Sequence, residues 1–195
     1  MEKNIEKYVF VKQNFLDKEF CQNTIEKINQ LNIWKKHDWQ GYDSNSTGSS
    51  FPSGENEPEQ IISVEEISLK NINEFIIPKI IKVVEEYIES CNLNNFDLHG
   101  MVNLKFIKYS LNQTMKEHCD HIHDIFDGKA KGIPIFTVIG LLNDDYEGGN
   151  LVMFGDKKIN TKKGDLIVFP SLFLFPHEIK PITKGIRYSY IAWMW

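Results

Sequence analysis

The chain has 195 residues, 42% of them hydrophobic and 12% aromatic, so it can bury a core and form one folded domain. Its net charge of −5, with no clustered basic face, argues against nucleic acid as a partner. No apolar run has the length of a membrane span, and charged residues interrupt the N-terminus where a signal peptide would be apolar. Three widely spaced cysteines without a C-x-x-C motif argue against disulfides and a cysteine zinc site, so we expect a cytoplasmic protein without a membrane partner.

The N-terminal part predicts a short strand followed by a helix with Asp17 as its N-cap. The helix carries a rough apolar stripe of Phe20, Ile25 and Ile28. Residues 41–57, GYDSNSTGSSFPSGENE, are rich in Gly, Ser and Asn and predict a mobile loop without regular structure. Such a loop is either a tolerated surface insertion or a lid over a site, and its composition leaves both open.

Residues 71–92 predict an amphipathic helix that packs on a sheet. Pro78 indicates either the start of this helix or a kink in it. One face is apolar and the other is charged, as expected for a helix that covers a core. The apolar face comprises Ile76, Ile80, Val83, Val84, Tyr87 and Ile88.

From residue 100 onward, short runs rich in Val, Ile, Phe and Tyr are separated by turn residues, which is typical of an antiparallel sandwich or barrel. We therefore predict a mainly β, α+β fold in which N-terminal helices buttress a barrel half. The predicted organisation is a single domain over 1–195, with helical support and the loop in 1–99 and the catalytic core in 100–195. The runs are MVNLKFIKY, IPIFTVIGLLN, NLVMFG, DLIVFP and RYSYIAWMW.

A histidine-rich segment, EHCDHIHDIF at 117–126, carries candidate metal ligands. If it is extended, His118 and Asp120 share one face, while His121 and His123 lie on the other. An i, i+2 pair on a barrel strand can hold one metal, although a His-x-Asp pair alone is also common on surfaces. His177 stands at the start of a strand in the same predicted barrel and is the candidate third ligand.

Two histidines and one carboxylate with open positions are the ligand set of non-haem Fe(II) oxygenases, whereas zinc more often has cysteine or three histidines. Arg187 follows ten residues after His177, in the apolar segment IRYSYIAWMW. A buried arginine needs an anion, which is either a carboxylate ligand held by its planar fork or an Asp or Glu in a structural salt bridge.

The ordered set His118-x-Asp120, His177 and Arg187 resembles the Fe(II)/2-oxoglutarate-dependent dioxygenases, which have a double-stranded β-helix (jelly-roll) core. Within that family the chain is similar to the prolyl 4-hydroxylase-like, HIF-type branch, because a tyrosine follows the arginine. Tyr109 stands where such enzymes carry a tyrosine that reaches the cosubstrate. The resemblance is strong over residues 100–195 and loose before them.

The resemblance implies that His118, Asp120 and His177 bind Fe(II), and that Arg187 and Tyr109 bind 2-oxoglutarate. It implies hydroxylation of a C–H bond with O2, most readily of proline in a peptide or protein substrate, with succinate and CO2 as coproducts and ascorbate as a candidate additional cofactor. Loop 41–57 occupies the place of a mobile substrate-covering loop in prolyl hydroxylases.

The chain also departs from the family pattern. A tyrosine that contacts the distal carboxylate in some relatives is replaced around Gly140, and Met115 stands where many relatives have an aromatic residue. Trp193, six residues past the arginine, occupies the position of a second arginine in the nucleic-acid demethylases, which argues against DNA or RNA as substrate.

Three other functions remain open from the sequence. The first is a 2-oxoglutarate oxygenase that acts on a free amino acid or small metabolite. The second is a cupin-type metalloprotein that uses His121, His123 and His177, which would leave Arg187 without a role. The third is a jelly-roll binding module without catalytic activity.

Overall fold

The computed structural model describes residues 4–37, 39–42, 48–51, 56–63, 66–93, 98–101, 104–120 and 134–195. In these parts of the chain, two helices accompany fifteen short strands. The helices are α1 (Lys18–Gln30) and α2 (Lys70–Ser90), and the strands are β1 (Phe10–Lys12), β2 (Lys35–Lys36), β3 (Trp39–Tyr42), β4 (Gly48–Phe51), β5 (Glu59–Ile62), β6 (Lys105–Tyr109), β7 (Met115–His118), β8 (Phe136–Leu141), β9 (Glu147–Gly148), β10 (Leu151–Met153), β11 (Lys157–Lys158), β12 (Leu166–Pro170), β13 (His177–Ile179), β14 (Ile182–Lys184) and β15 (Arg187–Met194).

Both predicted helices are present, and their buried faces match the sequence pattern. The Asp17 carboxylate accepts a hydrogen bond of 2.7 Å from the Phe20 backbone N–H, which confirms the N-cap of α1. All six residues predicted for the apolar face of α2 are buried. Pro78 lies inside α2, which begins eight residues earlier at Lys70, so the interpretation of Pro78 as a helix start was wrong. None of the described helices is long and apolar enough to cross a bilayer.

The described strands form two antiparallel sheets and two strand pairs. The larger sheet has seven strands in the order β1-β12-β8-β15-β6-β5-β2, and the smaller has four in the order β11-β10-β13-β7. Strands β1, β2 and β5 come from the N-terminal half, so residues 1–99 supply sheet strands as well as helical support. This arrangement confirms the predicted mainly β fold with helices packed on a jelly-roll core.

The buried hydrophobic residues form two clusters, one on each face of the seven-stranded sheet. One cluster lies between the helices and the seven-stranded sheet, and the second lies on the other face of that sheet, against the four-stranded one. Side chains alternate along β15, so Tyr188, Tyr190 and Ala192 join the helix layer. The same alternation turns Arg187 and Trp193 toward the barrel interior. The position of a residue along β15 therefore decides whether it supports the helices or faces the site.

Residues 39–42 and 48–51 form the antiparallel hairpin β3–β4. The prediction of a loop without regular structure over 41–57 was therefore wrong for part of this segment, because backbone pairing in a hairpin does not require apolar side chains. Residues 43–47 and 52–55 lie outside the described residues, and the lid interpretation stays a prediction.

Candidate metal centre

Two histidines face each other across neighbouring strands of the smaller sheet. His118 at the end of β7 pairs directly with His177 at the start of β13, and their ring centroids are 4.4 Å apart. The Nδ1 atom of His118 lies 2.7 Å from the carbonyl oxygen of Lys116, and that of His177 lies 3.1 Å from the carbonyl oxygen of Phe175. Since a carbonyl can only accept, each Nδ1 carries a proton, so Nε2 is the ring nitrogen that can coordinate a metal.

Asp120 completes a compact set of three ligand atoms. Its Oδ1 lies 3.3 Å from His118 Nε2, and its Oδ2 lies 3.7 Å from His177 Nε2. One ligand atom from each of the three residues lies within 4.8 Å of the other two. Strand β7 ends at His118, and His118 and Asp120 meet at the site as predicted, whereas residues 121–123 lie outside the described residues. The arrangement can hold one divalent metal on one face and leave the remaining positions open.

A buried hydroxyl pair holds the Asp120 carboxylate, which the sequence analysis did not identify. Thr137 on β8 donates a hydrogen bond of 2.7 Å to Asp120 Oδ2, and its hydroxyl lies 2.8 Å from that of Ser171. Thr137 is the single polar residue in the apolar segment IPIFTVIGLL. A lone hydroxyl in an apolar strand indicates a buried hydrogen bond, and this pattern could have identified Thr137 from the sequence. Its position facing the barrel interior became clear only from the sheet register.

The pKa values of Asp120, His118 and His177 depend on one another. Burial acts to raise the pKa of Asp120, but the hydrogen bond with His118 and the charges of both histidines outweigh it and hold the pKa well below its ordinary value. Burial acts to lower the pKa of His118, yet the hydrogen bond and charge of Asp120 raise it overall. For His177, burial prevails and lowers the pKa. Asp120 is thus ionised and His177 neutral near pH 7, as a cation site requires.

Arg187 lies in the barrel interior and is only 2% exposed. Its Nη1 donates a hydrogen bond of 2.8 Å to Ser189 Oγ, and its guanidinium carbon lies 5.1 Å from the centroid of the Tyr109 ring. Its Nε is buried without a hydrogen-bond partner, and within the described residues Arg187 makes no ion pair. The alternative of a structural salt bridge is therefore not found there. A buried guanidinium with an unpaired N–H fits an anionic ligand.

Tyr109 stands directly opposite Arg187 in the pairing of β6 with β15. Burial raises the pKa of Tyr109 to about 12, with Arg187 acting in the opposite direction. The hydroxyl therefore stays protonated at neutral pH and can donate a hydrogen bond to an anion beside the guanidinium. Together the two side chains make a positively charged, donor-rich end of the barrel interior.

The anion-binding end and the His/Asp cluster lie toward opposite ends of β15. Trp193 pairs with Thr137, which holds Asp120, whereas Arg187 is six residues earlier on the same strand. Six strand residues span about 20 Å at roughly 3.4 Å per residue. The arginine side chain reaches back toward Ser189 and covers part of this distance. The guanidinium and the His/Asp cluster are therefore at two separate positions along strand β15 of the barrel.

The Gly148-Gly149 bend makes room beside Arg187. Both glycines have positive φ, +77° and +58°, a backbone conformation that residues with a side chain rarely adopt. A Cβ atom on Gly149 would lie 2.4 Å from Cδ1 of Ile182 and 3.2 Å from Cδ of Arg187. The glycine pair therefore lets the chain pass close to the arginine.

Other residues singled out from the sequence lie elsewhere. Gly140 faces the helix layer, because a Cβ atom there would lie 1.9 Å from Cζ of Tyr190. Since side chains alternate along β8, the next residue, Leu141, faces the barrel. Tyr188 binds the helix layer, because its hydroxyl accepts a hydrogen bond of 3.0 Å from Asn29 Nδ2. His121 and His123 lie outside the described residues, so the cupin alternative that uses them is untested.

Residues 104–195 match the model of the 2OG-Fe(II) oxygenase superfamily. The chain is 35% identical over 96 residues to a PKHD-type hydroxylase of Alteromonas mediterranea, a match that covers 46% of this chain and 41% of that protein. The matched region thus spans about two-fifths of the length of the curated relatives.

Two solved structures share the fold over almost the whole chain. The first is a viral collagen prolyl hydroxylase from Paramecium Bursaria Chlorella virus-1 in complex with 2OG, with a TM-score of 0.63, 20% identity and 98% of each chain covered. The second is a prolyl hydroxylase from Trichoplax adhaerens in complex with a peptide fragment of the hypoxia inducible factor oxygen degradation domain. Its TM-score is 0.66 at 20% identity, with 96% of this chain and 83% of that chain covered.

Proposed function

Residues 104–195 form a domain of the 2OG-Fe(II) oxygenase superfamily, and from that premise we propose that the protein is an Fe(II)- and 2-oxoglutarate-dependent dioxygenase that hydroxylates proline in a peptide. The observation that carries the proposal is one barrel interior with a His/Asp/His cluster toward one end and, at the other, a buried arginine that forms no ion pair with any described residue. The superfamily uses both Fe(II) and 2-oxoglutarate, and these two sites suit them.

In this proposal His118, Asp120 and His177 hold the iron. Two neutral imidazole nitrogens and one carboxylate oxygen leave the net charge of an Fe(II) site at +1 and occupy only three positions. Thr137 fixes the carboxylate through its hydrogen bond of 2.7 Å, so that the ligand does not rotate away. When bound, Fe(II) and 2-oxoglutarate supply O2 activation coupled to release of succinate and CO2, and ascorbate is a candidate reductant.

Arg187 and Tyr109 bind the far carboxylate of 2-oxoglutarate. The Arg187 fork offers its charge and an unpaired N–H, and Tyr109 offers a protonated hydroxyl on the opposite strand. Surrounding apolar side chains of the barrel core keep water away from the reacting centre and strengthen these contacts. The protein residues thus position the reactants, and the oxidising chemistry belongs to the cofactor.

The proposed substrate is a peptide that contains proline. It is favoured by the fold shared with two prolyl hydroxylases, one of which is in complex with a peptide. Free amino acids and small metabolites remain the competing substrates. The decisive measurement is therefore product analysis with both kinds of substrate.

The test measures Fe(II)-dependent conversion of 2-oxoglutarate to succinate with and without O2, together with mass spectrometry of an added prolyl peptide. We expect succinate formation that needs iron and oxygen, rises with the peptide, and places one oxygen atom on proline. His118→Ala should abolish turnover. Oxygen-dependent turnover without any peptide oxidation would exclude the peptide and favour a small-molecule substrate. A folded protein that neither binds iron nor forms succinate would leave a binding module.

A further inference from the structure

A buried carboxylate, Glu57, lies against the strands of the candidate site. The carbonyl oxygen of the preceding residue, Asn56, accepts a hydrogen bond of 2.9 Å from the backbone N–H of Thr114, which stands immediately before β7. The Thr114 hydroxyl in turn donates a hydrogen bond of 2.6 Å to the carbonyl oxygen of Ile179 on β13. Glu57 is therefore anchored to the two strands that carry the two candidate histidine ligands.

One oxygen of the Glu57 carboxylate is buried without a partner among the described residues. The residue is 8% exposed, its Oε2 is buried without a hydrogen bond, and it forms no ion pair with any described residue. Burial is the main cause of the raised pKa of Tyr109, and the charge of Glu57 adds to it. For His118, burial acts downward and Asp120 upward, with Glu57 adding to the rise in pKa. Its charge is thus felt at both the anion-binding end and the metal end.

Gln60 supplies a second unsatisfied acceptor nearby in the chain. It pairs with Ile107 across strands β5 and β6, and the Ile107 side chain belongs to the barrel core. Directly opposite residues in an antiparallel pair project from the same face, so Gln60 is turned toward the barrel interior. It is 8% exposed, and its Oε1 is buried without a hydrogen-bond partner.

Neither the metal nor the cosubstrate accounts for these acceptors. Glu57 is not one of the residues whose ligand atoms cluster within 4.8 Å, so the metal does not neutralise it. 2-Oxoglutarate is itself an anion and is repelled by a second carboxylate. A buried carboxylate is favoured when it pairs with a cation, and no described residue forms an ion pair with Glu57, so its natural partner is a cation that arrives with the substrate.

We propose that Glu57 and Gln60 form an acceptor pocket for a basic side chain of the substrate, which places a lysine or arginine next to the hydroxylated proline. This inference rests on the proposed function and narrows its substrate class. The carboxylate pairs with the ammonium or guanidinium group, and the Gln60 amide oxygen accepts one of its N–H donors.

The first experiment measures binding to the iron-free protein by fluorescence anisotropy. Three labelled pentapeptides differ only beside the proline, where they carry lysine, alanine or glutamate. We expect the lysine peptide to bind at least tenfold more tightly than the other two, and Glu57→Gln to remove that preference. The control is Glu59→Gln, which makes the same chemical change two residues away. Glu59 already forms an ion pair with Lys108, so we expect it to take no part in binding the peptide. Equal affinity for the three peptides, or the same loss in both variants, would overturn the proposal.

The second experiment follows hydroxylation of the same peptides, with free lysine and free arginine as separate arms. Glu57→Gln should raise KM for the lysine peptide about tenfold or more, whereas the control Glu59→Gln should leave that KM within twofold. If the free basic amino acid is oxidised and this oxidation requires Glu57, the acceptor pocket is supported and the prolyl proposal is contradicted. Hydroxylation of all prolyl peptides with equal KM would keep the prolyl proposal and overturn the pocket.

Discussion

At the scale of single residues, the candidate centre depends on side chains that orient other side chains. Both histidines direct Nδ1 to a backbone carbonyl, and Asp120 receives the hydroxyl of Thr137. Arg187 is packed against Tyr109 and bonded to Ser189. The supporting residues are therefore as testable as the ligands themselves.

Replacing Thr137 with valine removes the hydrogen bond to Asp120 and keeps the side-chain shape. We expect Fe(II) affinity to fall about 10–100-fold, because the carboxylate is no longer held in the orientation that a metal needs. Equilibrium titration with Fe(II) under anaerobic conditions measures the change. Thr24→Val is the matched control, since Thr24 is buried in α1, far along the chain from the ligands. An unchanged affinity in Thr137→Val would remove this role from Thr137.

Arg187→Lys keeps a positive charge and loses the planar fork. We expect KM for 2-oxoglutarate to rise about 10–100-fold, since hydrogen bonds to charged groups contribute roughly 1.5–3 kcal/mol. Fe(II) affinity, measured separately, should change less than twofold. If both quantities change together, the variant has disturbed the barrel and Arg187 has no distinct role in binding the cosubstrate.

Iron binding should weaken as the pH falls. His118 has a raised pKa, because Asp120 outweighs the effect of burial, and only its neutral form binds a metal. The pKa of His118 lies above its ordinary value of 6.5, so protons compete with the metal there first, whereas His177, with a lowered pKa, stays neutral to lower pH. Fe(II) affinity measured from pH 8 to pH 5.5 should fall on the acid side of neutrality. A flat profile over that range would contradict histidine ligation.

At the scale of elements, the alternation of strand side chains separates structural roles from chemical ones. Strand β15 turns Tyr188 and Tyr190 toward the helices and Arg187 and Trp193 toward the barrel. Tyr188, which the resemblance to the HIF-type branch singled out, hydrogen-bonds to Asn29 in α1. Tyr188 therefore supports the packing of α1 on the sheet, although it is next to Arg187 in the sequence.

Gly140→Ala tests the packing of the helix layer on β8. The added methyl group would lie 1.9 Å from the ring of Tyr190, so the ring must shift within a closely packed core. We expect a loss of about 1–3 kcal/mol in the free energy of unfolding, measured by urea denaturation. Combining the change with Tyr190→Leu, which vacates that space, should give a coupling energy that offsets part of the loss. Strict additivity of the two changes would contradict the contact.

At the scale of the whole molecule, the site joins parts of the chain that are distant in sequence. Residues 118 and 177 come from the smaller sheet, residues 109 and 187 come from the larger sheet, and residue 57 precedes β5. A ligand that contacts both ends of the barrel therefore stabilises the packing of one sheet on the other.

Binding of Fe(II) together with 2-oxoglutarate should raise the melting temperature. A ligand at 100 times its Kd adds about 2.7 kcal/mol to the free energy of unfolding. That corresponds to roughly 5–10 °C for a chain of this size, at about 2–4 °C per kcal/mol. Differential scanning fluorimetry measures the shift, a chelator should reverse it, and His118→Ala should lack it. An equal shift in His118→Ala would place the metal elsewhere.

Patterns in the sequence predicted the two helices, the main strands and the candidate metal ligands. Helical periodicity predicted the buried face of α2, and alternating apolar runs predicted the main strands, because burial imposes those periods on any chain. The spacing of His118, Asp120, His177 and Arg187 carried the family resemblance. The sequence did not identify the hairpin β3–β4, where backbone pairing prevailed over a polar composition, or the internal position of Pro78.

Contacts between side chains from different strands became known only from the three-dimensional fold. The roles of Thr137 and Ser171, the lack of an ion pair for Arg187 among the described residues, and the buried acceptors Glu57 and Gln60 all depend on strand register. Register is set by pairings between segments more than 150 residues apart, such as Lys12 in β1 with Leu166 in β12. Local sequence contains no record of such partners, because a shift of one residue would turn every side chain of a strand to its other face.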